Sequence, residues 1–485
     1  MDERKYDFGM IGLGTMGSNL LLNMADRGFA VIGFDINREK AREFEASANE
    51  KAIVKGVYEL PQLVQQLNAP RKIMMLVPAG KPVDDVISNL LPHLQKDDIL
   101  IDGGNSHFTD TLRRIYVLQE KGIHFMGMGI SGGEMGARTG ASIMPGGDEW
   151  AWQQVKPMLE TVAARVGSEP CIAYMGKWAA GHYVKMVHNG IEYSLMQLIS
   201  EVYDILKRGL KTGNDELAAI FKKWNEGELK SFLIEITASI FKMVDKETGH
   251  RLVDLILDRA GAKGTGKWTS QSAMDLSLPV PAIDIAVSMR DISIYKEQRT
   301  QAAELYQSEI KNFTGNKEEW LTQLYDAFYF ATVISYAQGF SLLVKASAEM
   351  DMQIPLPDVI KIWRGGCIIR SALLEEFYNI YQSIPNLPNL LLDKKIAELL
   401  LKKESSIRKI IAAAVEMQIP VAGFSASLAY FDAYCSRQLP TNLIQAQRDY
   451  FGAHKYERID KTGLFHNEWQ PLPEHAEEQK PKHTP

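Results

Sequence analysis

A glycine-rich turn near the start of the chain constrains its fold more than any other stretch. An apolar run at residues 8–11 leads into Gly12-x-Gly14-x-x-Gly17, and residues 18–27 then place apolar side chains at helical spacing. Strand, glycine turn and helix in this order predict a βαβ unit. Its turn would bring backbone N–H groups and a helix N-terminus close to a pyrophosphate.

The second predicted strand ends at an acidic residue. Residues 29–34 form a largely apolar run, and Asp35 follows it, 18 residues beyond Gly17. A carboxylate at this distance is typical of sites that bind the 2′-hydroxyl of a dinucleotide's ribose. A glycine turn alone is weak evidence, but the flanking strands and this acid together favour a dinucleotide-binding domain.

Apolar runs continue to alternate with helix-compatible segments over residues 1–180. They lie at residues 72–77, 99–102 and 123–126. The alternation predicts an α/β Rossmann-like domain with a doubly wound parallel sheet, whose strand-end loops hold the ligand. Two such loops, residues 102–106 and 129–136, are rich in glycine and small polar side chains. Each is also explained by a turn that needs positive φ.

The remainder of the chain has a different pattern. Helical spacing dominates residues 181–440, with long segments at 191–210, 321–350 and 405–417, and predicts a large all-α substrate and dimerisation domain. Residues 441–485 begin with a stretch dense in aromatic and functional side chains, which predicts an extended arm that reaches a partner subunit. From Glu474 the charged, proline-containing end is expected to be disordered.

Composition excludes several classes of protein. Of 485 residues, 46% are hydrophobic and 24% charged, and the net charge of -6 offers no basic field for nucleic acid. Cys171, Cys367 and Cys435 have neither disulfide nor zinc spacing, so we expect reduced thiols and no metal. The charged N-terminus is unlike a signal peptide, and the most apolar window, residues 328–344, is short for a membrane span. We therefore expect a cytoplasmic protein without a membrane partner.

A stretch at residues 181–193 carries the most chemistry. If it is helical, Lys185, His188, Asn189 and Glu192 fall at i, i+3, i+4 and i+7 and form one polar stripe flanked by apolar residues. Such a stripe indicates a lined cleft that holds a base and an acid. The alternative is a partly solvated helix face with a Lys–Glu pair.

A second glycine-rich loop, residues 261–269, resembles a nucleotide phosphate loop. Trp268 stands where that loop needs a magnesium-binding hydroxyl, and no strand precedes it, so a nucleoside triphosphate site is not predicted. Backbone N–H groups and Lys263 remain able to hold a phosphate ester, and a plain loop with solvated lysines is the alternative. Arg290 is likewise either a surface cation or an anion clamp.

Five blocks of sequence closely resemble the signatures of the 6-phosphogluconate dehydrogenase family, in its long, dimeric form. These enzymes of the pentose phosphate pathway oxidise and decarboxylate their substrate. The resemblance extends from Gly12 to about Glu457, and the blocks are residues 102–106, 130–134, 181–193, 263–269 and 447–454.

The resemblance implies a role for each matching residue. Lys185 is implied to be the general base at the C3 hydroxyl of 6-phosphogluconate, and Glu192 the acid that protonates C1 after CO2 has left. The residues implied to contact the sugar acid's carboxylate and hydroxyls are Asn105, Ser131, Gly132, Gly133, His188 and Asn189. Those implied to hold the phosphate end are Tyr193, Lys263, Thr265 and Arg290, with Arg448 and His454 from the second subunit of a homodimer.

The cofactor site departs from the family pattern. The residues assigned to it are Gly12, Leu13, Gly14, Thr15, Met16, Gly17, Asp35, Ile36, Asn37, Val77, Pro78, Ala79 and Asn105. Members that use NADP typically carry Asn-Arg-Ser/Thr where this chain has Asp35-Ile36-Asn37, and lysine where it has Pro78. A carboxylate repels a 2′-phosphate and accepts a hydrogen bond from a free hydroxyl. NAD is therefore the expected cofactor, with NADP possible because Arg38 is close in sequence.

Two alternatives compete with this function. A β-hydroxyacid dehydrogenase that does not decarboxylate would share the glycine turn, the Ser131 loop and the Lys185 helix, but would not need Glu192 or the phosphate-binding residues. A catalytically silent nicotinamide sensor would keep the fold without the paired Lys185 and Glu192.

Overall fold

The computed structural model describes residues 5–306, 310–311, 313 and 315–469. The expected disorder from Glu474 onward concerns residues outside these ranges. The chain forms two compact units, Met1–Leu428 and Ala429–Pro485. The domain boundaries expected after residues 180 and 440 stay predictions.

A seven-stranded sheet dominates the N-terminal part of the first unit. Its strands are β1 (Phe8–Ile11), β2 (Val31–Phe34), β3 (Val54–Val57), β4 (Lys72–Met75), β5 (Ile99–Asp102), β6 (His124–Ser131) and β7 (Ser142–Gly147). They lie in the order β3-β2-β1-β4-β5-β6-β7. All neighbours are parallel except β6 and β7. The predicted doubly wound sheet is confirmed.

The strands alternate their side chains between two core clusters. Phe8 and Met10 belong to one cluster, whereas Ile11 belongs to the other. The connecting helices are α1 (Thr15–Asp26), α2 (Arg38–Ala46), α3 (Leu60–Gln65), α4 (Lys81–Leu90), α5 (Phe108–Gln119), α6 (Gly133–Thr139) and α7 (Glu149–Val162). The strand order reverses between β1 and β4, which places a crevice for a ligand at their carboxyl ends.

Two of these strands carry little sequence signal. β3 reads Val-Lys-Gly-Val and is only four residues long, and β7 contains Pro145, Gly146 and Gly147. Glycine and proline are typical of turns, so neither run stands out as a strand. Pro145 is tolerated because β7 lies at the edge of the sheet, where one side of the strand needs no ladder partner. A short hairpin, β8 (Arg165–Val166) and β9 (Glu169–Pro170), precedes the helical part.

The rest of the first unit is helical, as predicted. Its helices are α8 (Ala180–Asp204), α9 (Asn214–Trp224), α10 (Phe232–Ile240), α11 (Leu252–Leu255), α12 (Thr265–Asp275), α13 (Pro281–Ser293), α14 (Lys296–Tyr306), α15 (Lys317–Glu349), α16 (Leu356–Trp363), α17 (Leu373–Ser383) and α18 (Lys394–Glu416). The segment predicted at 191–210 is the second half of α8 and a π-helical turn at Ile205–Gly209. Helix α19 (Ala422–Tyr434) extends from the first unit into the second.

Helix α15 is long and apolar enough to cross a membrane by length and composition alone. However, 94% of its most apolar window is buried inside the protein. Its central residues, including Tyr336 and Phe340, pack against other aromatic side chains such as Phe377. This helix therefore forms the core of the helical part.

The second unit contains α20 (Thr441–Gly452), β10 (Tyr456–Glu457) and β11 (Leu464–Phe465). Asp449 is completely buried and organises it. Its carboxylate accepts hydrogen bonds from Lys455 N at 2.8 Å, Asn467 N at 3.1 Å and Trp469 Nε1 at 2.8 Å, and lies 2.9 Å from His466 Nδ1. These bonds fold the chain after α20 back onto that helix.

Candidate active site

Helix α8 lies unusually close to the end of the sheet. A Cβ atom on Gly181 would lie 2.2 Å from Gly127 O and 2.5 Å from Met144 O, so only glycine fits there. Similarly, a Cβ on Gly129 would lie 2.3 Å from Lys185 Cβ. Glycines on both surfaces therefore let the helix approach β6 and β7, and Lys185 consequently lies beside the end of β6.

Three of the four residues in the polar stripe of α8 are buried and the Glu192 side chain is 22% exposed, so the alternative of a partly solvated face does not hold for most of the stripe. Lys185 is 7% exposed, Asn189 9% and His188 not at all. Burial lowers the pKa of Lys185, against the opposing effects of Glu192 and Cys367. Burial raises the pKa of Glu192, although the positive charges of Lys185 and Arg290 oppose the shift. The site thus favours a neutral amine and a protonated carboxyl.

His188 connects the members of the stripe. Its Nδ1 lies 3.0 Å from Asn189 Oδ1 and 3.8 Å from Glu192 Oε2, and its Nε2 lies 3.3 Å from Ser131 Oγ. Burial lowers the pKa of His188 well below its ordinary value, and Lys185 lowers it further. The imidazole is therefore neutral, able to donate one hydrogen bond and to accept another.

The loop after β6 brings Ser131, Gly132 and Gly133 to the same place. Gly132 and Gly133 have φ values of 132° and 62°, which side chains rarely adopt. A Cβ on Gly132 would lie 2.6 Å from Gly366 O, whereas one on Gly133 would meet nothing within 4 Å. The loop is therefore packed on one side and open on the other, where a carboxylate could approach its backbone.

Residues 364–371 support this loop, although they are not among the site residues predicted from the sequence. Ile368 N donates to Ser131 Oγ at 3.4 Å, and Gly366 O accepts from Ser142 N at 3.0 Å. Cys367 is fully buried, and burial raises the pKa of its thiol to about 12, so it stays protonated. The run Arg-Gly-Gly-Cys-Ile-Ile-Arg-Ser, unusually polar and glycine-rich within a helical pattern, was the available signal.

Arg290 and the start of α12, where Thr265 lies, pack around Tyr193, the residue after Glu192. The guanidinium carbon of Arg290 lies 3.7 Å from the centre of the Tyr193 ring. A Cβ on Gly266 would lie 2.5 Å from that ring, so α12 packs directly on it. Buried Thr265 begins α12 after Gly264, whose φ is 93°, and exposed Lys263 precedes it. This arrangement favours the anion-clamp interpretation of Arg290.

The loop that carries Asn105 leads into His107, which contacts helix α12. Asn105 is exposed at the tip of residues 102–106. His107, which caps α5, contacts Trp268 of α12 edge to face, with ring centres 5.0 Å apart. Trp268, which ruled out a nucleotide phosphate loop, therefore joins the helical part to the cofactor side of the cleft.

Arg448 and His454 belong to the second compact unit and are exposed. Arg448 Nη1 donates to Gln445 Oε1 at 3.0 Å, and the His454 ring lies 5.9 Å from that of Phe451, edge to face. Their expected contribution to a neighbouring subunit's site stays a prediction.

The glycine turn after β1 fits a dinucleotide. Gly12 has a φ of 97°, and a Cβ on Gly17 would lie 1.9 Å from Gly12 O, so α1 can begin at Thr15 only because Gly17 lacks a side chain. A Cβ on Gly14 would meet nothing within 4 Å. The backbone is therefore open at Gly14, where a pyrophosphate would approach the N-terminus of α1.

Asp35 is buried at the end of β2 and braces the glycine turn. Its Oδ2 accepts from Leu13 N at 2.8 Å, its Oδ1 accepts from Asn37 N at 2.9 Å, and Lys40 Nζ lies 3.8 Å away. Ile36 beside it is 93% exposed, and Asn37 caps α2. The predicted ribose contact would thus use the remaining lone pairs of a carboxylate already fixed by backbone N–H groups.

The third cofactor segment lies across the crevice from the glycine turn. Val77, Pro78 and Ala79 follow β4, and the last two are exposed. Val77 O would lie 3.2 Å from a Cβ on Gly104, so this segment lies against the Asn105 loop. The structure therefore brings together at one edge of the sheet all the predicted cofactor residues.

Comparisons with known proteins agree with this geometry. The family model "NAD binding domain of 6-phosphogluconate dehydrogenase" matches residues 7–176, and "6-phosphogluconate dehydrogenase, C-terminal domain" matches residues 181–469. The chain is 52% identical, over 96% of its length and 99% of the relative's, to the NADP(+)-dependent, decarboxylating 6-phosphogluconate dehydrogenase of Bacillus subtilis. It is 47% identical, with the same coverage, to the decarboxylating enzyme of Escherichia coli.

A solved structure is similar over the same extent. The 6-phosphogluconate dehydrogenase of Plasmodium falciparum, studied without ligands, with its cofactor NADP+ and with its substrate 6-phosphogluconate, matches with a TM-score of 0.93 at 45% identity. The match covers 96% of this chain and 100% of that one. By these matches in sequence and in structure, the chain belongs to the 6-phosphogluconate dehydrogenase family of oxidoreductases.

Proposed function

We propose that this chain oxidises and decarboxylates 6-phospho-D-gluconate to D-ribulose 5-phosphate and CO2, with reduction of a nicotinamide cofactor. The observation that carries the proposal is the buried stripe on α8. It presents an amine with a lowered pKa and a carboxyl with a raised pKa, two helical turns apart. The lowered pKa favours the neutral amine that the base of this reaction needs, and the raised pKa favours the protonated carboxyl that its acid needs.

The first step is oxidation at C3. The neutral Nζ of Lys185 accepts the proton of the C3 hydroxyl. A nicotinamide cofactor held by the glycine turn and Asp35 would supply the acceptor for the hydride from the same carbon. Ser131, His188 and Asn189 line the cleft beside Lys185 and hold the sugar acid's carboxylate and hydroxyls. The product is a 3-keto acid, and Lys185 is now protonated.

The second step is loss of CO2. The new carbonyl lies β to the carboxylate and accepts the electron pair of the breaking C1–C2 bond, and the Lys185 ammonium stabilises the developing enolate oxygen. Glu192 then donates its proton to the carbon that lost the carboxylate, which yields the ketose phosphate. Burial raises the pKa of Glu192, which favours the protonated carboxyl that this transfer requires.

The substrate's phosphate is a dianion and needs several cations. Arg290, held on the Tyr193 ring, and Lys263 provide two of them beside the N-terminus of α12. We propose that the partner subunit's Arg448 and His454 complete this site. The same chain is then inactive as a monomer, and we expect it to work as a cytoplasmic homodimer.

The shared site is testable by mixing two inactive variants, Lys185→Met and Arg448→Ala. The Lys185→Met chain lacks the base but has an intact arm. The Arg448→Ala chain has an intact cleft but lacks the cation of the arm. Random pairing of the two chains should restore about a quarter of the wild-type rate, because one site in each mixed dimer is complete. If the arm serves its own chain, mixing restores nothing.

We propose that NAD is preferred over NADP. The support is the buried Asp35 carboxylate at the end of β2 and the absence of a cation at Ile36 and Pro78. The Bacillus subtilis relative is named as NADP(+)-dependent, so this chain would differ from it.

The decisive measurement is the initial rate of cofactor reduction with 6-phosphogluconate, together with CO2 released per cofactor reduced. A ratio of one CO2 per reduced cofactor supports the proposal. Reduction without CO2 would instead indicate a β-hydroxyacid dehydrogenase. Binding of both ligands without any turnover would indicate a nicotinamide sensor.

A further inference from the structure

A completely enclosed arginine lies behind the cofactor loops and was not singled out by the sequence. Arg114, on α5, is only 2% exposed. Its Nε donates to Asp84 Oδ1 at 2.8 Å, and its Nη2 donates to Gly80 O at 3.0 Å. Its Nη1 lies 3.2 Å from both Asp102 Oδ2 and Ser106 Oγ. One guanidinium thus binds four groups from two separate segments.

The partners of Arg114 form a closed network. Asp102 is 1% exposed, and its Oδ2 also accepts from Ser106 Oγ at 2.6 Å. Its Oδ1 accepts from Gly104 N at 3.0 Å. The beginning, middle and end of the loop at residues 102–106 are therefore tied to one carboxylate. That carboxylate is in turn fixed by Arg114.

The second segment held by Arg114 is the loop between β4 and α4. Gly80 is its last residue and has a φ of 85°, and Asp84 lies in the first turn of α4. This loop carries Val77, Pro78 and Ala79. The loop at residues 102–106 carries Asn105, and the two loops follow neighbouring parallel strands. Arg114 therefore sets the distance between the two.

We propose that Arg114 is a positioning residue, which locks the β4–α4 and β5–α5 loops together and so orients Asn105 toward both the cofactor and the sugar acid. The inference rests on the proposed function. Arg114 touches neither ligand and acts through Asp102, Ser106 and Gly80. The planar guanidinium is suited to this task because its fork directs donors along several fixed directions at once. A lysine at the same position would keep the charge but lose that geometry.

The neighbouring arginine provides a matched control. Arg113 is exposed, and its Nη2 pairs with Asp84 at 3.0 Å and with Asp110 at 3.6 Å, outside both loops. Arg113→Lys and Arg114→Lys make the same chemical change one residue apart. Both arginines bind Asp84, but only the second change removes the guanidinium fork that binds Gly80, Asp102 and Ser106.

The experiment measures NADH affinity by fluorescence titration, and kcat and KM, for Arg114→Lys, Arg113→Lys and Asn105→Ala. The double variant Arg114→Lys with Asn105→Ala is included. We expect Arg114→Lys to weaken NADH binding and to lower kcat, each by about tenfold or more, while Arg113→Lys stays within about twofold. In the Asn105→Ala background the effect of Arg114→Lys on kcat should shrink to less than about threefold, because both changes act through one side chain.

Additive effects of the two substitutions, or an Arg114→Lys protein that matches Arg113→Lys, would overturn the proposal. If Arg114→Lys does not fold, Ser106→Ala replaces it, since it breaks two bonds of the network without leaving a buried charge unpaired. NADH binding does not depend on which sugar acid is the substrate. A failure of the proposed reaction is thus distinguishable from a failure of this inference.

Discussion

The guanidinium of Arg290 stacks on the ring of Tyr193, with 3.7 Å between the guanidinium carbon and the ring centre. Tyr193 is itself held by α12, because Gly266 lets that helix approach the ring. The cation is therefore positioned by a side chain one residue beyond Glu192. This relationship connects the proposed phosphate end of the site to the proposed acid.

Replacing Arg290 by alanine should weaken the use of phosphorylated substrate specifically. A charge-assisted hydrogen bond to a phosphate contributes about 1.5–3 kcal/mol, so kcat/KM for 6-phosphogluconate should fall about 10- to 100-fold. The rate with unphosphorylated gluconate should change little. Lys267→Ala, an exposed lysine on the same helix as Thr265, is the control and should behave as wild type. Equal losses on both substrates would contradict a phosphate contact.

The pH dependence should reflect the two shifted groups on α8. The rate should rise with pH as Lys185 loses its proton. Because the pKa of Lys185 is lowered, this rise should occur below the pH range in which an ordinary lysine deprotonates. Because the pKa of Glu192 is raised, its carboxyl stays protonated to a higher pH than an ordinary carboxyl does. The rate should then fall at high pH as Glu192 ionises. Glu192→Gln should lower kcat about 10²- to 10⁴-fold and abolish the alkaline fall. A Glu192→Gln profile with an unchanged alkaline limb would assign that limb to another group.

Asp35 should determine cofactor preference by charge. Asn at this position can still accept from Leu13 N but cannot also accept from Asn37 N, so Asp35→Asn removes the charge and one hydrogen bond while the glycine turn keeps its support. Combined with Ile36→Arg, it should shift the ratio of kcat/KM toward NADP by about 100-fold or more, because repulsion of a 2′-phosphate is replaced by attraction. Glu39→Gln removes a nearby exposed charge and should leave the ratio unchanged. Preference for NADP in the unaltered chain would refute the assignment of Asp35.

Glu201 should make stability depend on pH. Its buried carboxylate accepts from Gly423 N at 2.7 Å and Phe424 N at 3.0 Å, and burial raises its pKa from 4.5 to about 7. The folded state therefore binds more protons than the unfolded state between these values, so Glu201 makes the protein less stable as pH rises through them. Relative to Glu201→Gln, the wild type should lose about 3 kcal/mol between pH 4.5 and pH 8.

Urea unfolding of both proteins across this pH range measures the difference. The exposed Glu226→Gln is the control and should leave the pH dependence of the wild type intact. A constant difference between wild type and Glu201→Gln at every pH would show that Glu201 has the same pKa in both states.

Much of the architecture follows from local pattern. The glycine turn, Asp35 and the apolar runs specify a doubly wound sheet because close backbone approach and period-two burial leave few other solutions. A helix over residues 181–193 is enough to place four polar side chains on one stripe: Lys185, His188, Asn189 and Glu192. The helical part of the chain is predicted equally well, since apolar residues at helical spacing extend over long segments.

What the sequence could not supply are contacts between residues far apart in the chain. Strands β3 and β7 are short or rich in glycine and proline, and only their neighbours in the sheet stabilise them. The support of Ser131 by Ile368, 237 residues later, has no local pattern to reveal it. The same is true of Arg114, which looks like any other charged residue on a helix.

The sequence by itself determined the fold class, the polar stripe and the family resemblance, because these depend on residue type at fixed local spacing. Tertiary structure alone decided that the stripe is buried, that Lys185 and Glu192 have pKa values shifted in opposite directions, and that Arg114 ties two loops together. Burial and charge proximity arise only when distant segments pack. Their effects on protonation and position therefore belong to the folded chain and not to any short stretch of it.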